Sequence, residues 1–531
     1  MTRPRRLAIV AILGLPLLVT AWSLRSRAEQ RSAQLLDQVL TAVALRYVDT
    51  VSADSLYASA ARGLVRELGD PYTELLTPKD RAAFMRNTGG RYFGVGMLLT
   101  PPIDGYVMVD KVYPNTPAAS RGVREGDRIR AVDGESVRGW TVDRVQAKLL
   151  GERGTPVRVE FGRTGADSPL NLAFTRAEIR VSAVPFSMML AGQVGYVPVT
   201  TFSERTAADV AAAVTALEAQ GATGLVLDLR GNPGGIVDEA FALANIFLPA
   251  GKVLLTVRER EGQEEMKSVR EPLAPRLPMI VMIDGGSASS AEIVAGALQD
   301  YDRALLLGTT SYGKGLVQSV YNLDGGYALK LTTGKWFTPS GRSIQKPRRY
   351  DDAGRWVEVA EAPETDSARR ARPTYRSSGG RTLYGGGAIT PDVILPPDTI
   401  STSEQRVRRA LAPHFATLYA ALSDVAEAQR DRVPLDFTVA PAWREQVFAR
   451  LQRDSVRIDR TLLEAGAAEI DRALEERVAK VAFGDSTALR HALKYDTQLQ
   501  RAQALLQSRR TQAELFTAAG VAPAAVKRGT T

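Results

Sequence analysis

The sequence predicts a multidomain α/β protein, and three observations lead there. The chain has 531 residues, more than one hydrophobic core sustains, which points to about three or four domains. From about residue 179 to 345, strand-like and helix-like runs alternate, the pattern of a layered α/β core. That stretch follows a β-rich segment of short strands and precedes an almost wholly helical segment that begins after residue 400.

Residues 1–30 read as a targeting segment. "MTRPRR" is followed by the uncharged, apolar "LAIVAILGLPLLVTAWSL", about one membrane thickness long. A cleaved signal peptide and an uncleaved signal anchor both fit. The length of the apolar run and a mediocre "SRA" cleavage site at Ala28 favour the anchor. The arginine flank stays cytoplasmic, so everything after residue 30 is expected on the periplasmic side, either anchored to the inner membrane or secreted. Residues 31–80 read as helical, because Leu36, Val39, Val43 and Tyr47 recur at helical spacing.

Residues 81–178 change character. "FGVGMLLT", "YVMVDKVY", "DRIRAVDG" and "PVRVEFGR" are short strand-like runs, and "TVDRVQAKLLG" is one amphipathic helix among them. The alternating core spans 179–400. Within it, "TGLVLDLRG" and "PMIVMIDGG" read as buried strands. "SERTAADVAAAVTALEAQG" reads as a helix with a serine cap and a glycine stop, and "GGIVDEAFALANIFL" as another helix. Residues 346–384, polar and rich in arginine and proline, read as a surface loop. Residues 401–531 form a helical extension, with apolar stripes at Val407, Leu411, Phe415, Leu418 and Leu422 and at Ile470, Leu474 and Val478.

Composition removes several chemistries. The net charge of +9 would suit nucleic acid, an anionic surface or acidic substrates. No dense basic run interleaved with aromatics occurs, so nucleic acid is not an expected partner. Cysteine is absent, which excludes disulfides, thiol nucleophiles and cysteine metal sites. The two histidines, His414 and His491, both lie in the helical extension. A histidine triad or a histidine-ligated metal would have to use one of them.

Chemistry concentrates in "DGGSASSAEIVAGALQDYDRALLLGTTSYGKG", Asp284 to Gly315. Its second half fits Gly-x-x-x-x-Gly-Lys from Gly308 to Lys314. A phosphate loop then needs Ser or Thr and a helix, but here Gly315 follows and "LVQSVYNL" alternates like a strand. In the first half, Ser287, Ser289 and Ser290 stand where a buried strand turns into a helix. Free main-chain N–H groups and the positive helix end there stabilise an oxyanion. Ser289-x-x-Glu292 is also a plain capping box. With histidine remote, the remaining activator of the usual kinds is a lysine. A lysine base must fall about three units from ~10.4, which burial among apolar groups achieves. Lys314, between two glycines and after the apolar "ALLLG", is the candidate. "DLRGNPGG" is a second glycine-rich loop able to aim N–H groups at a carbonyl.

Together and in this order, "LRGNPGG", "GSASSAEI", "QD", "GKGLVQ", "WFTPSGRSIQ" and "GAITPD" resemble the carboxyl-terminal processing peptidases, or tail-specific proteases, over roughly residues 35–400. The resemblance implies a crotonase-like αβ protease core with a preceding PDZ domain at 81–178. It implies Ser289 as nucleophile, Lys314 as general base and Gln318 as the group orienting that lysine. The backbone N–H groups of Ser290 and Gly235 become the oxyanion donors, and Asp300 a structural residue. "FGVGM" resembles a PDZ carboxylate loop, which assigns Gly94, Val95, Gly96 and Met97 to the free C-terminus of a peptide. The implied function is an envelope serine endopeptidase acting near protein C-terminal tails, with no metal or other cofactor. Adaptor proteins and homo-oligomers are further partners that the resemblance suggests. The rival readings are a catalytically silent PDZ scaffold and a crotonase-like acyl-CoA enzyme. Two departures stand out: Leu150 in "LLGERGT" occupies the place of a sensor arginine, with Arg153 nearby, and Ser290 fills a place often held by alanine.

Overall fold

The computed structural model describes residues 34–521 apart from 164, 351–355, 359–365 and 398–399. The expected targeting segment lies outside the described residues. Among the described residues no helix is long and apolar enough to cross a membrane.

The chain divides into two compact units. The smaller holds residues 34–79, Gln318–Thr332 and Arg348–Val357. Its helices run over 34–46 and Ala53–Glu67, the second started by Ser52, whose hydroxyl accepts from Ser55 N. The strand Glu74–Leu76 pairs antiparallel with Ala328–Lys330. The helical stripe expected at Leu36, Val39 and Tyr47 is largely exposed, and Leu40 is the buried side chain of that helix.

The larger unit carries the PDZ-like module, the α/β core and the extension. Its main sheet has six strands in the order Met188–Leu190, Val194–Pro198, Gly224–Asp228, Met279–Ile283, Leu305–Gly308 and Val393–Ile394. All neighbours after the first pair are parallel. Parallel strands are covered on both faces, which is why "GLVLD" and "MIVMI" are apolar throughout. Leu225, Leu227, Val281 and Ile283 face one core, built with the helices Thr206–Ala219, Val237–Phe247 and Ser290–Asp300. Val226, Ile280 and Met282 face the other core, whose far side is Leu499, Ala502, Leu505, Leu506, Leu515 and Phe516. The extension therefore supplies the second helical layer of the main sheet through Thr497–Leu506 and Gln512–Ala518.

The β-rich module is a sheet of Met97–Ile103, Tyr106–Val112, Arg128–Val132, Pro156–Gly162 and Leu170–Thr175, with the helix Val142–Leu149. It is entered and left through the antiparallel pair Arg91–Gly94 and Ala177–Arg180.

Three expectations change. The helix Thr206–Ala219 has no serine cap. Arg205 precedes it in the left-handed region, and Glu239 of the next helix accepts from Arg205 N and Ala207 N at 3.0 and 2.9 Å. The polar stretch 346–384 is not all loop. Thr374–Arg376 and Thr382–Tyr384 form a hairpin, and Arg381 is buried against Asp302 and Asp392. In the extension, Val407, Leu411 and Leu422 are buried as the stripe predicts, but Phe415 is exposed.

Candidate active site

The strand Met279–Ile283 ends at the turn that carries the three serines, and burial separates them. Ser287 is fully buried; its hydroxyl donates to Leu229 O at 2.7 Å and accepts from Asp284 N at 2.9 Å. Ser290 is also fully buried, and its hydroxyl donates to Gly235 O at 3.0 Å. Ser289 alone of the three is partly accessible. It sits at φ 54°, ψ −114°, a strained region for a side chain with a Cβ, directly before the helix Ser290–Asp300.

Glu292 organises this turn. It is fully buried, and its Oε2 accepts from Ser289 N at 2.8 Å and from Lys314 N at 2.9 Å. Its Oε1 accepts from Gly313 N at 2.7 Å and from Ser311 Oγ at 2.5 Å. One carboxylate oxygen thus ties together the main chains of the serine and the lysine. Burial pushes this carboxyl above the usual carboxylate range, against the four donors that favour its charged form. The expected capping box is present, and that carboxylate does far more than cap a helix.

The segment around Lys314 is held from outside. Gly308 has φ 130°, and a Cβ there would meet Ile283 O at 2.0 Å. The chain after Gly315 is the strand Leu316–Asn322, so the phosphate-loop geometry is absent at this lysine. Trp336 donates from Nε1 to Lys314 O at 3.1 Å, and its own N–H bonds to Gly315 O. Gln345 Oε1 accepts from Gly315 N at 3.0 Å. Asp300 forms a buried ion pair with Arg342 and accepts from Ser340 N. "WFTPSGRSIQ" and "QD" therefore brace the lysine segment, and Asp300 is structural. Gln318 lies in the smaller unit, where its amide reaches Thr332 Oγ1 at 3.5 Å.

The glycine-rich loop Leu229–Gly235 lies against the turn that carries Ser289. Asn232 donates to Val199 O at 2.7 Å and accepts from Gly234 N at 2.8 Å, while its carbonyl accepts from Ala288 N. A Cβ on Gly234 would lie 2.8 Å from Ser289 Cβ, and one on Gly235 2.0 Å from Phe202 O. Only glycine permits this approach. Among the described residues the N–H groups of Gly235 and Ser290 have no hydrogen-bond acceptor. The Ser290 hydroxyl, an unneeded extra by sequence, ties the two residues together by donating to Gly235 O. Ser290→Ala should lower kcat about three- to tenfold with KM unchanged, in line with about 1 kcal/mol for a neutral hydrogen bond. Steady-state kinetics on a short peptide checks this.

In the PDZ-like module, Gly96 has φ 92°, and a Cβ there would stand 2.3 Å from Thr116 Cβ. Val95 O and Gly96 O accept from Ala118 N and Tyr113 N, which fixes the loop. Val95 and Met97 are buried in the module's own core, so their expected contact with a peptide is through main chain and not side chain. Leu150 lines an apolar cavity of about 690 Å³ with Met85, Phe93 and Ile236. Arg153 is exposed. Both histidines stay in the extension, where His491 bonds Glu475 at 2.7 Å and Leu435 O at 2.8 Å.

Residues 193–352 match the model of peptidase family S41, and residues 108–163 match a PDZ domain model. The carboxy-terminal-processing protease of Bartonella bacilliformis (strain ATCC 35685 / KC583 / Herrer 020/F12,63) is 35% identical over 342 residues, which are 63% of this chain and 78% of that protein. This chain belongs to peptidase family S41, the serine-type carboxyl-terminal processing proteases. The carboxy-terminal processing protease CtpA of Bacillus subtilis (strain 168) is 33% identical over 300 residues, 56% of this chain and 64% of that relative's length. A photosystem II D1 C-terminal processing protease is a solved structure similar to it, at 28% identity, TM-score 0.37, covering 70% of this chain and 89% of that one. The S41 and PDZ matches fall on the core and on the β-rich module, and the helical extension lies outside both.

What sequence reasoning missed is the set of groups that hold the site: Glu292 beyond its capping role, Asn232 and Trp336. Asn232 and Trp336 sit inside the quoted motifs, so the signal was present without a role attached to it.

Proposed function

We propose that the chain is an envelope-facing endopeptidase that cuts proteins near their free C-terminal tails with a Ser289/Lys314 dyad. The observation that carries this reading is the single Glu292 oxygen that receives both Ser289 N–H and Lys314 N–H. Neutral Lys314 takes the Ser289 proton, and Ser289 Oγ attacks the scissile carbonyl. The oxyanion rests on the N–H groups of Gly235 and Ser290. The protonated lysine gives its proton to the leaving amine, and water then hydrolyses the acyl-enzyme. The family pattern assigns Gln318 the orienting of the lysine. The periplasmic location, membrane-anchored or secreted, rests on residues 1–30 of the sequence.

In the PDZ domain, main-chain N–H groups of the Gly94–Met97 loop take the terminal carboxylate, and the peptide adds to the strand that follows. Gly96→Ala should weaken binding of an apolar tail peptide at least tenfold, because Thr116 and the positive φ both oppose a Cβ. Cleavage of a short peptide lacking that tail should stay near the parent level. Equal tail affinity in the variant would remove this loop from tail recognition.

The deciding experiment follows degradation of an unfolded substrate with an apolar free C-terminus by the full-length protein in detergent, with chelator and without ATP. Ser289→Ala and Lys314→Ala run alongside. Cleavage by the parent and none by either variant supports the dyad. Equal cleavage by all three overturns the assignment. Tail binding with no cleavage by the parent favours a silent PDZ scaffold.

A further inference from the structure

We propose that Asp496 and Gln498 of the helical extension are positioning residues of the catalytic site, acting through Arg230 on the loop that carries the Gly235 oxyanion donor. This rests on the Ser289/Lys314 reading and adds a part of the chain outside the matched S41 and PDZ segments.

Arg230 is the third residue of "DLRGNPGG", five positions before Gly235. Its guanidinium lies between two carboxylates. On one edge, Nε bonds Asp228 Oδ1 and Oδ2 at 3.0 and 3.1 Å, and Nη2 bonds Asp228 Oδ2 at 2.7 Å. On the other edge, Nη2 and Nη1 bond Asp496 Oδ2 and Oδ1 at 2.8 and 3.1 Å, and Nη1 bonds Gln498 Oε1 at 3.0 Å. Every N–H of the fork is aimed at an acceptor, the arrangement in which arginine fixes geometry best. Asp228 is itself held, by Tyr196 Oη at 2.9 Å and by Arg230 N at 3.0 Å.

The far side of this clamp is equally fixed. Asp496 caps the helix Thr497–Leu506 by accepting from Leu499 N at 2.9 Å. Gln498 donates to Leu395 O. Leu499, Ala502, Leu505 and Leu506 bury that helix against the protease sheet. The residues just after Arg230 belong to no helix or strand, and hydrogen bonds alone hold them: Gly231 N to Asp284 Oδ1 at 2.8 Å, and Asn232 to Val199 O and Gly234 N. Arg230 is thus the handle by which the extension sets the loop against Ser289. A donor displaced by a fraction of an ångström stabilises an oxyanion less while leaving substrate binding intact.

The same extension also grips the PDZ domain. Ile103 and Met108 pack on Ala420, and Arg450 forms a bidentate pair with Asp104 at 2.7 Å. The extension therefore holds both the tail-binding domain and the oxyanion loop, through different helices.

The test uses Asp496→Asn in the full-length protein in detergent. Asparagine caps a helix as well as aspartate does, so the change removes the charge facing Arg230 and spares the cap. Gln498→Met, which removes one acceptor at similar length, is the second variant. The readouts are kcat and KM on a short chromogenic peptide, affinity for a peptide boronic acid whose serine adduct places an oxygen in the oxyanion position, affinity for a tail peptide, and melting temperature. Asp496→Asn should lower kcat ten- to a hundredfold with KM and tail affinity within twofold, and boronate affinity should fall in parallel. Gln498→Met should show the same signature at three- to tenfold. A kcat within twofold of the parent in both variants overturns the proposal. So does a fall in kcat with unchanged boronate affinity, or an equal loss of kcat, tail binding and melting temperature. Ser289→Ala in the same assay separates the two readings. If it still cleaves, the dyad reading fails; if it is inactive while both extension variants match the parent, only the present inference fails.

Discussion

Lys314→Ala is expected to lower kcat/KM by about three to four orders of magnitude, the range a positioned general base contributes, and Ser289→Ala to lower it at least as far. The double variant should be hardly worse than either single one, because a nucleophile and its base act as one unit. Lys314→Arg sharpens the test. Arginine keeps the positive charge and most of the length but stays protonated at any pH at which the protein is folded. If Lys314 served only as a cation near the site, arginine would retain much of the activity. As a base it cannot be replaced by arginine, and the variant should be as inactive as alanine. The parent's kcat/KM should also rise with pH, since only the neutral amine accepts a proton. With Lys314 as the base, that limb should be absent from the residual activity of Lys314→Ala. An arginine variant with more than a tenth of parental activity would remove Lys314 from the role of base.

The sequence makes the α/β core readable because strands buried on both faces leave continuous apolar runs, such as "GLVLD" and "MIVMI". It does not distinguish Ser287, Ser289 and Ser290, since all three stand at one helix start. Their separation comes from tertiary partners, Leu229 O for Ser287 and Gly235 O for Ser290. The Glu239 cap of the helix Thr206–Ala219 was illegible for a similar reason. It comes from more than thirty residues away, whereas capping patterns are local. Residues 346–384 looked like a solvated loop because arginine is seldom buried. Arg381 is an exception, with carboxylates from Asp302 and Asp392 around it. The extension carried no motif at all. Its contact with Arg230 joins residues 266 positions apart, and only the folded sheet brings them together.

Glu292→Gln should be nearly as damaging to activity as loss of a catalytic group, although it changes one atom. Both N–H groups that reach Oε2 belong to main chain and cannot turn away, and Gly313 N–H reaches Oε1 in the same manner. Only Ser311 on Oε1 can rotate, and its oxygen already accepts from Ile389 N at 2.7 Å. Whichever way the glutamine amide is placed, its NH₂ faces at least one fixed N–H donor. A buried donor left unmatched costs about 1–3 kcal/mol, and here the displaced groups are the main chains of Ser289 and Lys314 themselves. A kcat loss of about a hundredfold is expected, with the tail affinity of the PDZ domain unchanged. Glu292→Ala leaves all four donors without the carboxylate, and a stability loss of several kcal/mol, at about 1–3 kcal/mol for each buried donor left unmatched, is expected beside the loss of activity. Denaturant unfolding and single-turnover acylation distinguish the two variants. If Glu292→Gln acylates at the parental rate, the shared oxygen does not set the dyad, and the geometry of Ser289 and Lys314 must be held by Trp336, Gln345 and the strained turn alone.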